Sequence, residues 1–109
     1  MDYVYLVTFK WSVEDDCGIG IKVFKTYQDA RDYFDKLIED EKNPDISWIG
    51  EEVFNEDGEV NEYFSLHSSI SGNADSRQYW HVYDDIYGFR YSEIDLFKEP
   101  IIKGKNGNV

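Results

Sequence analysis

The sequence predicts one small α+β domain, a twisted and mainly antiparallel sheet with a single helix packed on one face, in the order β-β-α-β-β-β-β. Three observations predict it. The chain opens on two β-branched and aromatic runs separated by a turn. Residues 27–42 then repeat apolar side chains at helical spacing. The remainder consists of short apolar runs divided by turn signals, with no second helical period.

Residues 3–11 are β-branched and aromatic, with Tyr3, Tyr5, Val7, Phe9 and Trp11 on one face, which predicts a central strand. Residues 12–18 carry Glu14, Asp15, Asp16, Cys17 and Gly18 and read as a turn. A second strand over 19–25 alternates Ile19, Ile21 and Val23 with Gly20, Lys22 and Phe24, completing a hairpin. Thr26 is a helix cap, with Asp29 three residues on. In the helix, Tyr27, Ala30, Tyr33, Phe34, Leu37, Ile38 and Glu41 share one face, and Asn43-Pro44 ends it. Beyond it, strands are expected at 46–54, 60–67, 79–83 and 89–97. The first two are joined by a turn at Glu56-Asp57-Gly58, 68–78 forms a polar loop, and Tyr87-Gly88 turns the chain into the last strand. The domain is expected to span 1–103, with a frayed tail at 104–109.

Charge is the dominant compositional feature. The chain has 109 residues, 23 Asp and Glu against 11 Lys and Arg, and a net charge of -12. It is also 17% aromatic, unlike a disordered acidic tail, so the acids ride on a folded domain. Such a charge repels nucleic acid and anionic membranes and favours encounter with basic protein surfaces. A single cysteine excludes an internal disulfide, and no apolar run is long enough to span a bilayer, which gives an expectation of a cytoplasmic protein.

No catalytic motif emerges. Cys17 follows three acids, which disfavour a thiolate, so we expect no nucleophile there and no enzyme. Gly18-Ile19-Gly20 precedes a strand and lacks the third glycine of a dinucleotide fingerprint. Residues 55–62 have their glycine and closing glutamate at the wrong positions for a calcium loop. His67 and His81 could face each other across paired strands and share a metal with a carboxylate. The sequence nevertheless shows no ligand set with zinc spacing, and neither metal nor cofactor is expected.

The acids form groups: Asp15 and Asp16 beside Glu14, the helix stripe Asp32, Asp35 and Glu39 followed by Asp40, the pairs Glu51-Glu52 and Glu56-Asp57, and Asp84-Asp85. From Asp32 to Glu39 the stripe spans about 10 Å of helix, a spacing that imitates a row of phosphates. Tyr83 and Tyr87 flank Asp84 and Asp85, and tyrosines are favoured interface anchors.

Residues 4–11 (Val4-Tyr5-Leu6-Val7-Thr8-Phe9-Lys10-Trp11), Gly18-Ile19-Gly20, the run Val23-Phe24-Lys25-Thr26 into a helix with Ala30 and Tyr33-Phe34, and Ser47-Trp48-Ile49 resemble a group of small acidic proteins of phages and mobile elements. In size and acidity the chain is also similar to anti-CRISPR and other anti-restriction inhibitors. The expectation is therefore an acidic inhibitor that occupies the basic groove of a nucleic-acid-binding enzyme through Asp32, Asp35, Glu39, Asp40, Asp15, Asp16, Asp84, Asp85, Tyr83 and Tyr87. The alternative is a metal- or ligand-responsive accessory domain built on His67, His81 and nearby carboxylates.

Overall fold

The computed structural model describes residues 2–50, 52–86 and 88–102. The frayed tail expected at 104–109, and Tyr87, lie outside the described residues. The elements run β1 (Tyr3–Val13), β2 (Asp16–Phe24), α1 (Tyr27–Lys42), β3 (Phe64–Ser69), β4 (Gln78–Asp84) and β5 (Arg90–Pro100). They form a five-stranded antiparallel sheet in the order β2-β1-β5-β4-β3. β5 is the middle strand, β1 lies beside it inside the sheet, and β2 and β3 are the edges.

The expected hairpin of β1 and β2 forms around a tighter turn than the sequence suggests. Pairing continues to Val13 opposite Asp16, and Glu14 takes a left-handed φ of 55° at the tip. Gly18 lies opposite Trp11, whose indole packs where a Cβ at residue 18 would sit, 2.5 Å from Nε1. That close approach, rather than turn formation, is what requires glycine there.

α1 begins where Thr26 Oγ1 accepts the Asp29 N–H at 3.3 Å. It packs on β1, β5 and β2 through Ala30, Phe34 and Ile38, all buried. These join Val7, Ile94, Leu96, Trp80 and Val82 in one core. Arg31, half-buried, donates to Tyr27 Oη, Ser71 O and Gln78 Oε1, tying the 70–77 loop to the helix and to β4.

The strand expected over 46–54 is absent, which corrects the seven-element order to six elements, β-β-α-β-β-β. Among the described residues, 43–50 and 52–63 run as turns and bends with one bridge between Phe54 and Val60, and β3 begins only at Phe64. Their side chains fill the core without pairing in the sheet: Ile49 and Val53 are fully buried, Trp48 meets the Phe9 ring edge-on at 4.6 Å, and Phe54 stacks on Trp80 at 6.2 Å. Asparagine side chains hold the turns. Asn43, Asn55 and Asn61 accept the N–H two residues on, from Asp45, Asp57 and Tyr63. The irregular spacing of Ile46, Trp48, Ile49, Val53 and Phe54 is the trace of a core-filling loop.

One face of the sheet is thus covered by α1 and this loop. The other carries, in register, Leu6 between Val23 and Phe97, Thr8 between Ile21 and Asp95, and Lys10 between Ile19 and Glu93. The row through Glu93 continues to His81 and His67. It is left open to solvent: Ile19 is 76% exposed, with Ile21 and Val23 close behind.

Candidate functional site

The turn between β1 and β2 and the connection from β4 to β5 meet at one end of the sheet, where the Glu14 N–H donates to Phe89 O at 2.9 Å. The Asp85 N–H donates to Tyr63 O, bringing the start of β3 to the same place. Four of the acids singled out from sequence, Asp15, Asp16, Asp84 and Asp85, are gathered there from two distant segments. Between the segments lies a cleft of about 390 Å³, lined in part by Glu14, Glu52, Asp84 and Arg90. Arg90 is ion-paired with Glu52. The apolar side chains around it are open to solvent: Tyr63 is 51%, Ile86 52% and Phe89 58% exposed. The Asp84 carboxylate, which lines the cleft, accepts the Ile86 N–H at 2.8 Å, and Asp85 next to it accepts the Ser65 hydroxyl at 2.5 Å.

The helix stripe is a different surface. Asp35 is ion-paired with Arg31 at 3.0 Å and Asp40 with Lys36 at 2.8 Å, each one helical turn away. Asp32 accepts from the neutral Gln28 amide at 2.8 Å, and Glu39 is exposed. The stripe therefore alternates compensated carboxylates with Asp32 and Glu39, and its field is weaker than a row of bare acids would give. Tyr83 belongs to neither acidic surface. It lies on the open face of the sheet beside Tyr91, and its hydroxyl donates to Glu93 Oε1 at 2.8 Å. Burial, with Glu93 alongside, pushes the Tyr83 hydroxyl up to about 12, which keeps it a donor.

The open face also brings together titratable groups that sequence spacing does not reveal. His81 Nε2 lies 3.2 and 3.3 Å from the two oxygens of Asp95, and Glu93 is its cross-strand neighbour. The donor atoms of His81, Glu93 and Asp95 all fall within 4.8 Å of one another. The fold thus brings together three potential ligands that have no zinc spacing in the sequence. His67 and His81 do pair across β3 and β4, as their placement in neighbouring strands suggested, and β5 supplies the carboxylates. Glu93 and Asp95 were missed because only the register of β4 on β5 puts them opposite His81 and Tyr79. Their i, i+2 spacing on a strand was the available signal.

Glu41 was legible as the one charged residue on the apolar face of α1, and it is buried at 1% exposure. Its carboxylate accepts the Trp80 indole N–H. Burial pushes its pKa up to about 7, with Ser92, Trp80 and Trp48 holding the rise in check. Of these, only Trp80 sits at hydrogen-bonding geometry. Trp48 Nε1, Ser92 Oγ and Glu41 Oε1 are buried without a hydrogen bond within range. Cys17, expected in a turn, lies instead on β2 opposite Ser12, exposed and free. In the calcium-like segment Asn55 Oδ1 is taken by the N–H groups of Asp57 and Glu59.

No family model, curated protein or solved structure matches the chain.

Proposed function

We propose that the protein is a non-catalytic binding protein that docks on a basic surface of another protein through the acidic end of its sheet. The observation that carries this reading is that exposed Tyr63, Ile86 and Phe89 line one cleft with Glu14 and Asp84, while Asp15, Asp16 and Asp85 adjoin it along the chain. Aromatic and aliphatic side chains supply desolvation energy at an interface, while surrounding charge selects the partner and speeds encounter. An arginine or lysine side chain suits the cleft, since its stem can lie on Phe89 and Tyr63 while its charge meets the carboxylates.

In its finer form the reading makes the partner a nucleic-acid-binding enzyme and this chain its inhibitor, with Asp32 and Glu39 as a second, weaker contact. The net charge of -12 and the resemblance to small acidic phage proteins support that form. A cytoplasmic setting belongs to the same proposal. Among the described residues no helix is long and apolar enough to cross a membrane.

The test is binding of an arginine-rich peptide to three forms of the full chain: wild type, Asp15→Lys/Asp85→Lys, and Asp32→Lys/Glu39→Lys, the two variants carrying the same net charge. Loss of binding in the first variant, with only a modest loss in the second, supports docking at the sheet end. Equal losses in both would mean that net charge alone attracts the peptide. Competition by duplex DNA for a basic DNA-binding domain tests the finer form.

A further inference from the structure

We propose that the open face of the sheet holds a site for a divalent transition-metal ion, with His81, Glu93 and Asp95 as ligands. It lies apart from the acidic end and goes beyond the binding role proposed above.

The geometry is what a site on a rigid sheet requires. His81 projects from β4 and Glu93 lies directly opposite on β5, with Asp95 two residues further along the same face. The three donor atoms lie within 4.8 Å of one another, and His81 Nε2 is already 3.2 Å from Asp95 Oδ1. Bonds of roughly 2.0–2.2 Å to a tetrahedral ion place neighbouring donors about 3.4 Å apart. Closing the set from 4.8 Å to that spacing calls for side-chain adjustment within the cluster.

The surroundings orient these donors. Tyr83 donates to Glu93 Oε1 at 2.8 Å, and Arg77 donates to Asp95 Oδ1 from Nε and Nη2 at 3.1 and 2.6 Å. Such outer contacts fix which oxygen of each carboxylate faces the ion. The His81 ring lies between Tyr79, at 4.9 Å between centroids, and Tyr83, at 6.2 Å. The site is sheltered without being sealed: the side chains of His81 and Asp95 are 15% and 12% exposed. Arg77 and Lys10 are the cations nearby. Arg77 is spent on Asp95, and the Lys10 ammonium lies over the Tyr91 ring at 5.6 Å. The Glu93 charge is offset by neither cation, and a bound ion competes with Arg77 for Asp95. His67, exposed and opposite His81 on β3, stands next in the same row but outside the three-residue cluster.

One imidazole and two carboxylates favour zinc, manganese or cobalt over magnesium and calcium, which prefer all-oxygen sites. The experiment uses the full chain with Zn²⁺, Mn²⁺ and Mg²⁺, read by melting temperature and calorimetric titration, with Co²⁺ absorption as a spectroscopic probe of a mixed nitrogen and oxygen donor set. The expected result is one Zn²⁺ per chain, a raised melting temperature, and little response to Mg²⁺. His81→Ala and Glu93→Gln should weaken Kd by about 10-fold or more, and His67→Ala by less. Glu93→Gln preserves an acceptor for Tyr83, which keeps the test informative should His81→Ala unfold. A Zn²⁺ response that survives both variants, an equal response to Mg²⁺, or no response to any ion would overturn the proposal.

Discussion

Glu41→Gln removes a carboxyl that sits almost fully buried beneath Trp80 and keeps an oxygen to accept its indole N–H. In the folded chain burial lifts the Glu41 pKa from 4.5 to about 7. The sign follows from proton counting: between those values the native state holds a proton that the unfolded state has released. Stability therefore falls as pH rises through this window, is unaffected below it, and has lost the whole contribution above about 7. A rise of this size corresponds to about 3 kcal/mol, a large share of the 5–15 kcal/mol typical of small domains. Self-repulsion of the other acids has the same sign, so the informative quantity is the difference between wild type and Glu41→Gln. Urea unfolding across the window should show wild type losing about 3 kcal/mol relative to the variant, with the two running parallel above it. Carboxyl carbon NMR of Glu41 should titrate near pH 7. Parallel stability curves throughout, or an ordinary carboxylate titration, would refute the burial argument.

Other consequences of the packing can be checked by the same unfolding assay. Phe34→Ala empties the centre of the helix–sheet contact and should cost about 3–5 kcal/mol, whereas Asp35→Ala breaks only the half-exposed pair with Arg31 and should cost less than about 1 kcal/mol. The reverse ranking would place the apolar face of α1 wrongly. Gly18→Ala forces a methyl against the Trp11 indole and should destabilise by about 1–3 kcal/mol; a neutral outcome would mean that the indole does not lie over residue 18.

How far the sequence foretold this structure depended on whether a pattern was local. α1 was readable to its ends because Thr26, the apolar spacing and Asn43-Pro44 all act within one element. β1, β2, β4 and β5 were readable for the same reason, though each strand runs further than its apolar core, since ladder pairing carries Val13, Asp16 and Lys98 along with it. Residues 46–54 misled because burial and strand formation leave similar composition. Ile49 and Val53 are as buried as any strand residue, yet they reach the core from turns. At the sites the limit was register. Asp15, Asp16, Asp84 and Asp85 were visible as charge but not as neighbours. Exposed Tyr63, Ile86 and Phe89, which make that end more than a charged tip, gave no signal distinct from core residues. Glu93 and Asp95 needed the β4–β5 pairing to become partners of His81.

The most direct test of the central proposal is to map an arginine-rich peptide onto the isotopically labelled chain by NMR chemical-shift perturbation. Docking at the acidic end of the sheet predicts a compact set of shifts at Glu14, Asp15 and Asp16, at Tyr63, and from Asp84 to Ile86 with Phe89, fading as salt is raised. Shifts centred on Asp32 and Glu39 of α1, or scattered over every acidic residue without a focus, would contradict it.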